Sequence, residues 1–310
     1  MVITPRWAPI TAGQPLLQLV PIWQESGRLQ VWWGIRLLPE IREEEPSYRD
    51  YICGENGILR RWMRCGISGW RLDVADELPD VFLDDLRRAV KSEDPDAIII
   101  GEVWEDATTK FAYGQRRRYL LGNQLDSVMN YPFAAAILRF VRYGGGQAFL
   151  DAILSITEHY PPQVTAVLMN HIGTHDTLRA ITALAGPDCT GQGRAWQHRN
   201  NTLSGADYAR GVQLLKLASF LQYTLPGVPS LYYGDEVGVQ GMKDPSTGAV
   251  CLGRTRIGIY CIGISDWAKC VGAAKRWLRA HSCRYRATWA ACAMSAKRRC
   301  PSAGGSEPHL

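Results

Sequence analysis

The strongest constraint on this chain is a pattern that recurs five times. Short apolar runs lead into acidic or amide residues, and the stretches between them are too long for hairpins. Residues 69–76, 97–103, 125–131, 164–170 and 228–233 read as strands. Amphipathic stretches at 83–91, 134–141 and 209–221 read as helices. The first of these carries Leu83, Leu86 and Val90 on one face with Asp84, Asp85, Arg87 and Arg88 opposite. The 97–103 run holds three consecutive isoleucines, so it is expected to be buried on both faces. Asp94-Pro95-Asp96 marks a turn between helix and strand. Strand and helix in alternation, joined by crossovers, specify a parallel α/β architecture. The polar residues gather at the C-terminal ends of the runs: Asp73 and Asp76, Glu102, Asn130, Asp176, then Asp235 and Glu236. That rim is where a (β/α)8 barrel builds its active site. A doubly wound sheet also binds ligands at its strand ends, but normally with a glycine-rich phosphate turn, and this chain has none. The acids therefore favour a barrel.

Charge and cysteine set the last 61 residues apart. The net charge of +5 suggests nucleic acid until its distribution is examined. Residues 250–310 carry eleven Lys and Arg against Asp266 and Glu307, a net of +9, so residues 1–249 sum to −4. Six of the nine cysteines lie in that same segment, none at the close spacing of a zinc knuckle. Cys53, Cys65 and Cys189 are scattered, as expected of reduced thiols in a cytoplasmic protein. No apolar run of 18 residues exists to span a membrane, and the proline-interrupted N-terminus does not read as a signal peptide. Neither a nucleic acid nor a membrane is expected as a partner.

Carboxylates at successive rim positions suit cleavage of a glycosidic bond. One acts as nucleophile and one protonated carboxyl serves the leaving oxygen, roughly 5–5.5 Å apart in a retaining enzyme. Arg71 shares the strand face of Asp73 and would keep that carboxylate ionised. Glu102 leaves the isoleucine run ahead of Val103 and Trp104, where partial desolvation favours the protonated form of a general acid. His175 and Asp176 follow a strand and can hydrogen-bond sugar hydroxyls. Each signal has a plainer explanation. A lone Arg-x-Asp is most often a structural ion pair, a Glu after isoleucines is often just a strand leaving the core, and His-Asp often closes a turn. Metal ligation by His171 and His175 needs a helix that Gly173 and Thr174 oppose. The order of the signals and their strand-end placement lift them together.

These residues resemble a known family. Gly69-Trp70-Arg71-Leu72-Asp73, Gly101-Glu102-Val103-Trp104 and Thr174-His175-Asp176-Thr177 are similar to the second, third and fourth signature regions of the alpha-amylase superfamily of retaining glycoside hydrolases. Trp32-Trp33-Gly34-Ile35, Leu38-Pro39-Glu40 and Pro46-Ser47-Tyr48-Arg49 resemble its neopullulanase, cyclomaltodextrinase and maltogenic-amylase branch. The string from Leu225 through Pro229 to Glu236 is similar to the family's eighth barrel strand and following loop. The resemblance implies Asp73 as nucleophile, Glu102 as acid/base and Asp176 as transition-state stabiliser, with Arg71, His175 and Trp104 binding substrate. It also implies an α-1,4-glucan substrate, whether maltodextrin, cyclodextrin, pullulan or starch, and no cofactor. Calcium occurs in the family, without assignable ligands here. Where the branch has Val-Ala-Asn-Glu after the nucleophile, this chain has Val74-Ala75-Asp76-Glu77.

The family's first signature, Asp-x-x-x-Asn-His, is absent, so the five runs correspond to barrel strands four to eight. The family continues beyond Asp-Pro with Phe-Asn-Arg, a short gap and Pro-Trp. DNA encoding Phe-Asn-Arg-Gly-Cys-Leu-Pro-Trp, read one base later, yields the Ser246-Thr247-Gly248-Ala249-Val250-Cys251-Leu252-Gly253 of this chain. A similar slip makes residues 14–23 compatible with a family string that precedes Trp-Trp-Gly. The expected organisation is thus 1–31 out of frame, 32–245 from the catalytic barrel, and 246–310 an out-of-frame basic, Cys-rich tail. Resequencing both junctions is expected to show a missing or extra base. A partial barrel exposes unpaired strand edges, so the 310-residue chain is expected to be inactive alone. It is also not expected to form the family's homo-oligomers, which involve the N-terminal domain. The alternatives are a non-catalytic fragment and a transglycosylating relative on the same scaffold.

Overall fold

Pro79 and Asp80 start the helix that organises the first half of the protein. The computed structural model describes residues 24–25, 28–29, 31–35 and 37–243. They fall into two units, one running to Glu102 and including 107–126, the other comprising 103–106 and the residues from Ser127 onward. Residues 1–23, the 246–310 segment and its six cysteines lie outside the described residues.

In the first unit, helices α1 (Pro46–Cys53) and α2 (Ile58–Arg64) precede strand β1 (Gly69–Leu72). Helix α3 (Asp80–Glu93) then returns the chain to strand β2 (Ile98–Gly101). The helix is longer than 83–91 because extended Pro79 and first-turn Asp80 suit a helix start. Phe82, Leu83, Leu86, Ala89 and Val90 make its buried stripe. It stops at extended Asp94, whose carboxylate accepts from the Asp96 amide at 2.9 Å, the expected turn. The two strands are parallel, with Gly69 opposite Ile98 and Leu72 opposite Gly101. Asp126 pins strand to helix. It accepts from the Ile99 amide at 2.9 Å and pairs with Arg87 at 3.0 Å and Lys91 at 2.9 Å. The isoleucine strand is not buried on both faces, since Ile99 is inaccessible whereas Ile98 is 39% exposed.

In the second unit, strand β3 (Ser127–Val128) is shorter than the expected 125–131 because Asn130 ends it. The Asn130 side chain caps α4 (Tyr131–Tyr143) by accepting from the Phe133 amide at 3.2 Å. Gly145, in the left-handed region, opens α5 (Gly146–His159). The 164–170 run is strand only in β4 (Met169–Asn170). Its first residues belong to the helical turn α6 (Pro162–Thr165), which Pro161 and Pro162 begin. Helices α7 (Ala180–Ala185), α8 (Arg194–Arg199) and α9 (Gly205–Thr224) follow, and then β5 (Val228–Pro229), which also falls short of 228–233. Ser204 caps α9, its hydroxyl accepting from the Asp207 amide at 3.1 Å, and the helix begins at Gly205, four residues before the expected start. Met129 bridges Met169 in parallel, and β4 pairs in parallel with β5, Met169 opposite Val228.

A buried polar network fixes that register. Asn170 accepts from Asn130 Nδ2 and donates to the Pro226 carbonyl, both at 2.8 Å. Gln222, on α9, donates to the Asn170 and Ser230 carbonyls at 3.0 and 2.8 Å. Gly227 has φ of +119°, and a Cβ there would lie 2.7 Å from Asn170 Nδ2, so only glycine passes the network. Among the described residues no helix is long and apolar enough to cross a membrane. Cys53, Cys65 and Cys189 are free, and burial pushes the Cys53 thiol up to about 12.

Candidate active site

Register places the first unit's carboxylates. Leu72 stands opposite Gly101, so the next residues, Asp73 and Glu102, leave adjacent parallel strands at the same level. The ladder extends one step past the strands, through Glu102 N to the Leu72 carbonyl at 2.9 Å and Ala75 N to the Glu102 carbonyl at 3.1 Å. Arg71 joins the acids. One guanidinium nitrogen contacts Asp73 Oδ1, and the other lies 3.0 Å from Glu102 Oε2. The contact with Asp73 follows from the shared strand face; the second was not legible in the sequence.

Val74 supplies what the sequence hid. Its φ of 39° and ψ of 63° put a β-branched residue in the left-handed region, at a cost on the order of 1–3 kcal/mol. The bend directs the Val74 amide at Glu102 Oε2, 2.9 Å away. Surroundings then divide the pair. The Asp73 side chain is 66% exposed and that of Glu102 only 5%. Asp76 has a different task. It binds Lys110 at 2.8 Å and accepts from the Tyr119 hydroxyl at 2.7 Å, and so anchors the turn behind the site.

In the second unit His175 Nε2 lies 3.1 Å from Asp176 Oδ2, with both side chains open to solvent. Thr174 and Thr177 tie their loop, Thr174 Oγ1 accepting from the Asp176 amide at 3.2 Å and Thr177 Oγ1 from the Thr174 amide at 3.0 Å. Trp104, half exposed, stacks on Tyr131 with centroids 4.0 Å apart and planes 13° from parallel. Tyr131 meets the buried His171 edge-on at 4.5 Å. Burial pushes the His171 imidazole down to about 4, so it is neutral at pH 7. Asp235, expected at the rim, is instead buried beside Arg179. Sequence reasoning missed Tyr131 and Arg179, and weighed His171 only as a metal ligand. Only the position of Arg179, three residues past Asp176, offered a signal. Among the described residues no three His, Cys, Asp or Glu side chains cluster as a metal site.

Parallel α/β units with polar side chains at their strand ends, among them an Arg-linked pair of carboxylates on adjacent strands, are the arrangement of the barrel-type α/β class. The chain belongs to the alpha-amylase family. Residues 23–290 match the family described as alpha amylase, catalytic domain, a wider span than the 32–245 of the motifs. Neopullulanase 2 of Thermoactinomyces vulgaris is 36% identical over 210 residues, covering 67% of this chain and 30% of that protein. A cyclomaltodextrinase of Geobacillus thermopakistaniensis is 34% identical over 211 residues, again 67% of this chain and 30% of the relative. Among solved structures, the ligand-free cyclic alpha-maltosyl-(1→6)-maltose hydrolase of Arthrobacter globiformis aligns with a TM-score of 0.63 at 27% identity. That alignment covers 82% of this chain and 48% of the other. The chain thus spans about a third of the length of these curated relatives. The fold of the family's catalytic domain is a (β/α)8 barrel, and the relatives named are α-glucan hydrolases.

Proposed function

We propose that this chain carries the hydrolytic site for α-1,4-glucans of the maltodextrin, cyclodextrin, pullulan or starch type, within barrel strands four to eight. The observation that carries the reading is the Arg71 guanidinium bridging exposed Asp73 and buried Glu102 on neighbouring parallel strands. In the first half-reaction an Asp73 oxygen attacks the anomeric carbon while Glu102 gives its proton to the departing glycosidic oxygen. The product is a glycosyl ester on Asp73. In the second, Glu102 accepts a proton from water as the water oxygen attacks the anomeric carbon from the face opposite Asp73, releasing the carboxylate, so two inversions retain the anomeric configuration. Arg71 orients both acids. Asp176 and His175 grip sugar hydroxyls, strengthening their hold as the ring flattens toward the oxocarbenium ion. The exposed face of Trp104 offers an apolar platform to a sugar ring.

The test grafts residues 32–243 in place of the matching segment of the Thermoactinomyces neopullulanase and follows reducing-sugar release from maltodextrin. The graft is expected to hydrolyse with retention, and Asp73→Asn or Glu102→Gln to lower kcat by about three orders of magnitude or more. A folded graft without activity, or one that keeps it with Asp73→Asn, overturns the assignment. The 310-residue chain assayed alone is expected to release no reducing sugar.

A further inference from the structure

Arg179 is fully buried, an arrangement a protein tolerates for a guanidinium only when its charge is answered. One nitrogen donates to the Tyr233 carbonyl and lies 3.6 Å from Asp235 Oδ1. The rings of Tyr232 and Tyr233 cover the guanidinium carbon at 4.2 and 4.7 Å, a cation–π enclosure. Nε and Nη2 find no acceptor among the described residues. The Arg179 amide donates to the Gly241 carbonyl at 3.0 Å. Asp235 is 2% exposed and reaches the other end of the same loop: a Cβ on Gly173 would sit 2.4 Å from its Oδ2. The carboxylate therefore lies between Gly173 and Arg179, the residues that bracket His175 and Asp176.

We propose that Arg179 and Asp235 are positioning residues for substrate binding: together they clamp both ends of the 173–179 loop onto the 232–236 turn and so aim the His175–Asp176 pair. The role of that pair rests on the function proposed above; the clamp itself does not. Neither residue touches sugar. The buried polar pair has no other evident use, since an apolar pair of similar volume would pack as well or better. A loop tied only by Thr174 and Thr177 would leave Asp176, 40% exposed at its side chain, free to swing.

Amide hydrogen exchange on the 310-residue protein tests this without any substrate. Asp235→Asn keeps the shape and removes the charge, and is expected to raise exchange across 173–178 by about tenfold or more, with α5 unchanged. Arg179→Met alone strands a buried carboxylate and risks unfolding, so the deciding variant is Arg179→Met/Asp235→Asn. A purely structural ion pair predicts that removing both charges restores stability and loop protection together. The clamp predicts restored denaturation midpoint with 173–178 still loosened. Unchanged protection at 173–178 in both folded variants overturns the proposal. If the clamp holds but Asp176→Asn leaves glucan hydrolysis intact in the graft, the catalytic reading fails and the clamp stands.

Discussion

Asn170→Ala tests the network that sets the strand register beneath the second unit's loop. Asn170 is fully buried, and its side chain makes two hydrogen bonds of 2.8 Å. Truncation leaves Asn130 Nδ2 without its acceptor at a site that is 1% exposed, which costs about 1–3 kcal/mol. The Pro226 carbonyl belongs to an exposed residue that water can reach, so its loss is nearer the net value of one hydrogen bond, about 0.5–1.5 kcal/mol. A small void adds to this, giving about 2–4 kcal/mol in all. Urea denaturation followed by tryptophan fluorescence should show the midpoint falling at unchanged slope. Asn170→Asp sharpens the test. Its oxygens still accept from Asn130, but the ionised form opposes the Pro226 carbonyl and buries a charge, whereas the protonated form can donate to that carbonyl. The Asp variant should therefore be the less stable of the two at pH 7 and regain stability as pH falls toward 4. A loss under about 1 kcal/mol for Asn170→Ala, or no recovery of the Asp variant in acid, would refute the network as the source of the register.

Arg71→Met removes the guanidinium from a Glu102 side chain that is 5% exposed, but Arg71 is itself a third exposed, so the loss should be about 2–3 kcal/mol by chemical denaturation. Adding Glu102→Gln should recover most of it; a strictly additive double variant would count against the pairing. Two buried groups of the second unit should give opposing pH slopes. His171, near Tyr131, is pushed by burial from 6.5 down to about 4. The unfolded chain therefore binds a proton that the folded one lacks, and stability rises from pH 4 to 6.5. Asp235 faces Arg179, the Ala180 amide, Glu236 and Tyr232; burial, with Glu236, pushes its carboxyl up from 3.8 to about 7 against the pull of Arg179 and that amide. There the folded chain keeps the proton, and stability falls from about pH 4 to 7. Melting temperature against pH should be nearly flat in the native sequence, rising in Asp235→Asn and falling in His171→Gln. Slopes of one sign in both variants would refute the assignment.

Much of the site was legible before any coordinates. Arg71 and Asp73 share a strand face by period-two alternation, and Glu102 ends the isoleucine strand. His175 and Asp176 follow the fourth run, and the family resemblance rests on those same motifs. Strand extents were not legible, because apolar runs such as 164–170 suit helix and strand alike; two prolines turned the first half of that run into a helical turn. Asn130 shows the same limit, for an amide at the end of an apolar run can close a strand or cap a helix, and here it caps.

Local pattern thus determined the alternation of strand and helix, the class of fold and the placement of the acids at strand ends, because side-chain direction and polarity are set within a few residues. Only tertiary structure decided how those acids differ. Pairing Leu72 with Gly101 brought Asp73 and Glu102 level, the strained Val74 turn aimed an amide at one of them, and burial left Asp73 open and Glu102 enclosed. The same holds for Arg179 and Asp235, 56 positions apart, whose buried side chains come within 3.6 Å only in the folded chain. Solvent exclusion and register belong to the assembled chain, and no short stretch of sequence encodes them.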